Sequence, residues 1–542
     1  MLLVLLLSAS LAQTPPPTGT VRGIVVDARD GTPLRKVSVR LPGGISTLTG
    51  DDGRFELVGA PAGTQELYVS VVDFILVKRT VVVPAAGLIE LTIPIAAGTG
   101  TYTENVTVRP QTDNLAAPAG QQVLSGSQLQ QLRGVITGDP FRAIQVLPGV
   151  AAGDDLRSEF TVRGNAIDHM NFTFEGIPAP FLVHTVQGIN DSGSVAMVNA
   201  DVLDDIVLSS GSYAQRVGAR TGAELDFKMR EGSRDGTRSH VSLSVTDAAL
   251  VMEGPLGRNK NGSWLASVRK SYLDRLIRKL DPRNDFGFGF SDLQTKLVYD
   301  VSSRHQLQLA ITAGHSRLDR PPADLSSTEV QDGRNATAIG VVTWRYLASP
   351  RLVVTQKIYG TTNRFRNFSR DHVELVRGTQ TDVAYRMDWS YAARGRITFD
   401  GGAHAGRTDA VGRASRENFT VDTVSESAYG EARIPISRGW LTAGARVDHW
   451  SLTANTVASP WIQASWPLTR SIDVRLGTGI YRQEPSFTQV RGVRSDPGLV
   501  PERAPQVDLS IDGRLGWGVT WQVAGYDREP YMTAVRAFLD RT

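Results

Sequence analysis

The sequence predicts a mainly β chain: a small β-sandwich, then an α+β domain, then an antiparallel transmembrane β-barrel. Three observations predict it. Short β-branched runs separated by Asp-Gly and Pro-Gly turns fill the first hundred or so residues. Strict alternation of apolar and polar residues recurs, strand after strand, from about Arg238 onward. No stretch beyond the amino terminus offers the roughly 18 consecutive apolar residues that mark a membrane helix, so any membrane crossing falls to strands.

Composition narrows the function classes. The 542 residues contain no cysteine, which excludes a disulfide framework, a thiolate zinc site, an iron–sulfur cluster and a cysteine nucleophile. With 41% hydrophobic residues and 9 Trp, 13 Tyr and 17 Phe, the chain is too apolar to be disordered. A mean hydropathy of −0.16 is too polar for a bundle of membrane helices. The net charge is +3, from 58 basic against 55 acidic residues. There is no long basic run, and no nucleic-acid partner is expected.

Residues 1–12 are expected to be a secretory signal peptide. Met1–Leu11 is an apolar run too short to span a bilayer, and Ser10 and Ala12 put small residues at the −3 and −1 positions of a cleavage site. The basic segment that usually opens such a signal is missing, since no Lys or Arg precedes Arg22.

Residues 19–98 form the expected sandwich. Strands are expected at Val21–Asp27, Lys36–Leu41, Phe55–Val58, Glu66–Val72, Lys78–Val83 and Leu88–Ile95. The turns between them include Asp30-Gly31-Thr32-Pro33, Pro42-Gly43-Gly44 and Asp51-Asp52-Gly53. Gly23-Ile24-Val25-Val26-Asp27, Gly31-Thr32-Pro33-Leu34 and Asp52-Gly53-Arg54-Phe55 resemble the carboxypeptidase-regulatory-like fold. The segment contains no histidine, and Asp51 and Asp52 read as turn formers, so no peptidase chemistry is expected of it.

From Thr101 to Gly232 helical and strand spacings mix with many glycines. Ser127–Leu132 and Pro140–Leu147 have helical apolar spacing, with Ser125 or Ser127 as a cap for the first. Phe160–Arg163, Phe172–Glu175, Asp205–Leu208 and Ala223–Met229 read as strands.

Residues 238–542 carry the barrel pattern. Leu307, Leu309, Ile311 and Ala313 share one face opposite Gln306, Gln308 and Thr312; Leu441–Asp448, Ile472–Gly477 and Val507–Asp512 repeat the alternation. Short turns alternate with long polar segments near Asp274–Ser291, Arg317–Ala336, Thr362–Thr381, Arg407–Ser427 and Gln483–Pro505, which are expected to be external loops. Aromatics near strand ends, among them Trp264, Tyr299, Trp344, Trp450, Trp461, Trp466 and Tyr481, are expected in interfacial girdles.

Residues between Thr101 and Gly232 carry a second resemblance. Phe160-Thr161-Val162-Arg163-Gly164-Asn165, Phe174-Glu175-Gly176-Ile177-Pro178, Gly211-Ser212-Tyr213, Gly218-Ala219-Arg220-Thr221-Gly222 and Arg230-Glu231-Gly232 occur in that order. Together with Glu253-Gly254-Pro255-Leu256 at the start of the wall, they closely resemble the plug and first strands of TonB-dependent outer-membrane receptors. The resemblance implies that residues 104–232 hold a TonB box and a plug domain, with Val162, Arg163, Gly164, Asn165, Glu175, Gly176, Gly211, Gly218 and Gly222 as its motif residues. It implies TonB, the outer-membrane bilayer and a scarce solute as partners; a ferric siderophore, a cobalamin, a glycan and a peptide all remain open.

Arg163 is expected to pair with wall carboxylates, with Glu253 and Glu431 as candidates. The family's second plug arginine falls at Ser210, which puts the usual plug–wall ion cluster in question. Glu104-Asn105-Val106-Thr107-Val108 resembles the TonB box, an extended β-prone segment that TonB takes up as an added strand. Its competing readings are a last strand of the sandwich and an ordinary linker.

His169 and His184 lie in plug segments and are candidate ligand contacts. None of the 8 histidines sits in a metal-binding spacing, and no nucleophile elbow, phosphate loop or dinucleotide fingerprint occurs. Neither enzymatic activity nor a cofactor or metal is expected. The expected function is a receptor that imports a scarce solute into the periplasm by TonB-energised plug rearrangement. The alternative is a non-transporting adhesin or binding protein anchored by the barrel. Alternation between Ala249 and Asp527 counts about fourteen strands, whereas plugged barrels use about 22, so a C-terminally truncated receptor is expected.

Overall fold

A computed structural model describes residues 18–528 except 28–30, 32, 36, 42–44, 51, 71–76, 86, 96–119, 132–138, 153–159, 185–194, 235, 245, 259, 273–278, 280–286, 303, 322–324, 350, 394–396, 415–416, 470, 492–497 and 515–519. The expected signal (1–12) and TonB box (104–108) lie outside the described residues. The chain divides into two compact units, Met1–Asn114 and Leu115–Thr542.

The first unit holds two small sheets. One orders Arg54–Pro61, Thr18–Asp27 and Leu88–Ile95; the other orders Ser46–Leu48, Ser38–Arg40, Gly63–Ser70 and Val77–Val83. Their apolar faces meet in a core that includes Val21, Val25, Val39, Leu57, Leu67, Val81 and Ile93. Alternation puts these residues on inner faces, as a sandwich requires. Ser46–Leu48 escapes a sequence reading because three residues are too few to show a period.

The second unit contains a mixed domain and a large antiparallel sheet. The mixed domain has a five-stranded sheet in the order Ile177–Pro178, Asn171–Phe174, Glu224–Met229, Leu203–Ser209, Gln121–Ser125. Two short helices, Gly126–Gln131 and Pro140–Ile144, lie in the same segment. Asp139 caps the second by accepting the Phe141 N–H at 2.9 Å, with Pro140 at the first turn, where its missing N–H costs no bond. The capping role expected of Ser125 or Ser127 lies outside the described side chains. Phe141 sits among Phe160, Phe172 and Phe227 with ring centroids 5.7–5.8 Å away.

The large sheet has fifteen strands, each paired with its sequence neighbours, from Arg238–Leu243 to Thr520–Arg528. Among the described residues no ladder joins those two edge strands. One face of the sheet packs on the mixed domain: Ala310, Ile339, Val341, Tyr359 and Ala384 belong to the same core cluster as Phe174 and Phe227. The other face is the opposite parity and exposes Leu307, Val342, Ile358 and Val383. An apolar outer face around a polar or filled interior is the arrangement of a membrane wall.

The structure corrects two expectations about this wall. Much of the polar sequence assigned to long loops is strand. Val330–Ser349, Leu352–Ser369, Glu374–Ala392, Thr398–Ala414 and Glu417–Ile436 run 17–20 residues. Polar residues on both faces erase the hydropathy period there, but hairpin pairing needs only the backbone. The longest intervals between strands are 272–286, 320–329 and 484–501, and the strand ends that bound them all lie at one end of the sheet. The aromatic girdle is also smaller than expected, because Trp450, Trp461 and Tyr481 are buried in the interior while Tyr299, Trp344 and Trp466 face outward.

Candidate functional site

The candidate site is the contact between the mixed domain and the wall, where the motif residues converge. Val162 ends the strand Phe160–Val162 and is fully buried. Arg163 and Gly164 follow with φ of 49° and 77°, a left-handed turn that reverses the chain. The Asn165 N–H returns to the Val162 carbonyl at 2.9 Å, and its side-chain amide donates to the same oxygen at 3.0 Å.

The turn aims Arg163 at Asp508 on the wall strand Glu502–Arg514, and the two form a buried ion pair. The guanidinium also lies 4.5 Å from the ring centre of Tyr526. Gly211 is what lets them meet: a Cβ there would stand 2.5 Å from an Asp508 oxygen and 2.8 Å from Arg163. Glu253 and Glu431, the partners expected for Arg163, are engaged elsewhere. Glu253 pairs with Arg230, and Glu431 pairs with Arg216. Sequence alone could not distinguish them, because a partner across a sheet is set by register.

Ser210, at the position of the family's second arginine, donates its hydroxyl to the Gly120 carbonyl at 2.8 Å. The second arginine to reach the wall is Arg216, six residues later. Its Nε donates to Glu431 at 3.2 Å, and its NH2 lies 3.4 Å from Asp400. One buried oxygen of Asp400 and one of Glu431 have no hydrogen-bond partner among the described residues. Sequence reasoning missed Arg216; the available signal was a lone charge between Gly211 and Gly218 in a run that must pack inside a wall. Gly218, with φ of 64°, lies so close to Arg446 that a Cβ would come within 2.4 Å of its Nε.

A contact of reversed polarity joins Glu175 to two wall lysines. Its carboxylate accepts from Lys296 Nζ at 3.0 and 3.1 Å and from the Met229 N–H at 2.8 Å. Lys357 Nζ donates to the Glu175 carbonyl at 2.6 Å and sits against Gly176. Glu175 takes a positive φ of 53° to present both groups.

The two candidate ligand histidines have different surroundings. His184 is 2% exposed, bonds Asp292 and stacks on Phe290 at 4.8 Å. Arg269 shares the same carboxylate, 2.7 Å from Nε. His184 is therefore buried in the joint between the mixed domain and the wall. His169 lies near the end of the wall from which the long connections leave, between Asp168 at 2.8 Å and Glu502 at 3.5 Å. Hydrogen bonding to those two carboxylates raises its pKa to about 9, and the same bond holds Asp168 below the usual carboxylate range. Gly222 donates its N–H to the His169 carbonyl at 2.7 Å.

A cavity of about 200 Å³ opens between the two parts, lined by Asn171, Gly218 and Arg220 on one side and Tyr359, Asp382 and His404 on the other. The Tyr359 hydroxyl and His404 Nε2 are 2.8 Å apart, and Asp382 accepts hydroxyl bonds from Thr361 and Thr408 at 2.5 and 2.6 Å. Beside it, loss of water pushes the Glu224 carboxyl up to about 7, reinforced by Asp226 and opposed by a bond from Asn171. Among the described residues no group of three or more acidic or histidine side chains is placed to hold a metal ion. The arrangement offers polar contacts and separable ion pairs.

Comparison with known proteins agrees with this geometry. The family model described as TonB dependent receptor-like, beta-barrel, matches residues 234–529. The fold is similar to the ferric enterobactin receptor of Pseudomonas aeruginosa, with a TM-score of 0.62 at 15% identity over 76% of this chain and 72% of that one. It is similar to a siderophore receptor of Acinetobacter baumannii, with a TM-score of 0.60 at 12% identity over 77% and 72%. An outer-membrane transporter of Escherichia coli gives a TM-score of 0.62 at 11% identity over 76% and 69%. No curated protein matches the chain in sequence.

Proposed function

Because the chain belongs to the TonB-dependent receptor family, an outer-membrane family of receptors and transporters, we propose that it imports a scarce solute into the periplasm by TonB-energised rearrangement of its plug. The mixed domain, residues 104–232, is the plug. The fifteen-stranded sheet is the membrane wall, with its long connections facing outward. The domain at residues 19–98 lies in the periplasm.

One observation carries the reading: the plug is fastened to the wall by a few ion pairs, Arg163–Asp508 and Glu175–Lys296 from its motif residues, both buried, and the half-buried Arg216–Glu431 between them. Such pairs hold a defined position yet can be exchanged for water or for a solute when the plug is pulled. Polar groups around the cavity, with Arg220 and Asp382 on opposite sides, supply the first solute contacts. Glu104–Val108 serves as the TonB box, to which TonB adds as a strand. Solute binding and box exposure are then coupled, reciprocally in free energy.

A ferric siderophore is the first solute to test, since the relatives above include siderophore receptors; cobalamin, glycans and peptides complete the panel. The test is uptake of each labelled solute by cells with and without TonB. TonB-dependent accumulation of one solute supports the proposal. Surface binding without TonB-dependent accumulation replaces it with the anchored binding protein.

A further inference from the structure

The outer face of the wall carries a row of arginines that no single stretch of sequence reveals. Arg317, Arg334, Arg366, Arg377 and Arg413 lie on five consecutive strands, and each is the direct cross-strand partner of the next. Direct partners share a face of a sheet. The parity is that of Leu307, Val342, Ile358 and Val383, so the row points away from the plug. Arg317, Arg334, Arg366 and Arg377 are each about half exposed. Arg364 is exposed on the same face, two residues from Arg366.

Like charges directly opposite one another on a sheet destabilise it, so five in register need counter-charge. The protein supplies only part of it. Asp332 is shared between Arg317 and Arg334, at 2.9 Å from each. Glu374 is shared between Arg366 at 3.1 Å and Arg377 at 3.5 Å. Asp319 lies 3.7 Å from Arg317. Arg364 and Arg413 have no carboxylate partner among the described residues. Within the row, six arginines face three carboxylates, while farther down the same face Arg407 lies between Asp409 and Asp422.

The position of the row sets what can neutralise it. On Arg317's strand the outward residues below it are Leu307, Leu309, Ile311 and Ala313 before His315; below Arg334 come Ala336, Ala338, Gly340 and Val342. The ten residues from Leu307 to Arg317 span about 33 Å along a strand, which at the usual tilt matches an apolar band about 25 Å tall. On these two strands the row begins where the hydrocarbon layer ends, at the outer end of the wall; below Arg413 the same face carries the ion-paired Arg407, Asp409 and Asp422. It spans about 19 Å across the strands. We infer that this row is a docking surface for the phosphate groups of lipid headgroups in the outer leaflet, each guanidinium offering a planar fork that fits a phosphate oxygen pair. The inference rests on the wall lying in an outer membrane as proposed above, but not on transport, so its test does not use uptake.

The experiment uses the full chain purified in dodecyl maltoside, with bis-phosphorylated lipid A as probe and its dephosphorylated form as control, bound lipid being counted by native mass spectrometry. The wild type is expected to retain the phosphorylated probe selectively. R334Q/R366Q/R377Q is expected to bind it roughly a hundredfold more weakly. D332N/E374Q, which removes the competing carboxylates and keeps every arginine, is expected to bind it more tightly and keeps the inference testable if the triple variant does not fold. Equal retention of both probes by the wild type, or unchanged affinity in both variants, overturns the inference. Preference for an acidic peptide such as polyglutamate over the phosphorylated lipid also overturns it, in favour of a protein partner.

Discussion

Glu175 of the mixed domain and Lys296 of the wall form a buried ion pair at 3.0 Å, and the backbone of the same glutamate is held by a second wall lysine, Lys357. Removing one partner of a buried pair strands the other without solvent. Glu175→Gln is predicted to lower the stability of the plug–wall assembly by about 3 kcal/mol, read as earlier thermal unfolding and faster proteolysis of the plug. A variant as stable as the wild type would show that the pair contributes nothing net.

The Arg163–Asp508 pair makes a sharper prediction because Gly211 is built around it. Arg163→Met or Asp508→Leu alone is predicted to cost about 3–5 kcal/mol, whereas the double variant recovers most of that loss, because no unpaired charge remains. Gly211→Ala is predicted to behave like Arg163→Met, since its new methyl occupies the space where the two side chains meet. Calorimetric unfolding of the four proteins checks the set; additive losses would contradict it.

Glu224 gives a pH dependence. Its carboxyl is pushed up from 4.5 to about 7 by burial and by Asp226, with Asn171, Arg386 and Arg216 opposing. A raised folded pKa means that the folded protein binds the proton more tightly than the unfolded chain. The associated stability is complete below about pH 4.5 and is lost as pH rises through about 7. Glu224→Gln is therefore predicted to melt above the wild type at pH 8, with the difference shrinking toward pH 5.

His169 titrates in a higher window. Its pKa is raised to about 9 by Asp168 and Glu502, so the stability it contributes is complete below about pH 6.5 and disappears as pH rises through about 9. His169→Asn should flatten the fall in melting temperature between pH 7.5 and 10 that the wild type shows. An unchanged profile would mean that the imidazolium adds nothing to the joint with Glu502.

The alternation of Leu307–Ala313 and Val507–Asp512 made the strands and their in–out sense legible, because a two-residue period survives wherever one face is apolar. It failed above the apolar band, where the outward positions Arg334, Arg364 and Arg366 are charged and the long hairpins pair through backbone. The motif glycines pointed to a crowded turn at Arg163. The turn was readable, its partner was not: Asp508 lies 345 residues away and meets Arg163 only through the register of the wall. The same limit hides the arginine row, whose members stand far apart in sequence and align only when five strands are laid side by side. The burial of His184 was hidden for a related reason, since Asp292 and Phe290, which close over it, lie more than a hundred residues away.

The central claim is energised import through a plug released from its ion pairs by a pull on residues 104–108. The most direct measurement is uptake of the bound solute by cells carrying the wild type or Val106→Pro, alongside surface binding at equal expression. Proline at this position removes a backbone donor that an added TonB strand would use. Uptake is predicted to fall to the level of cells lacking TonB while binding is unchanged. Uptake at the wild-type rate in the variant, or in the absence of TonB, would contradict it.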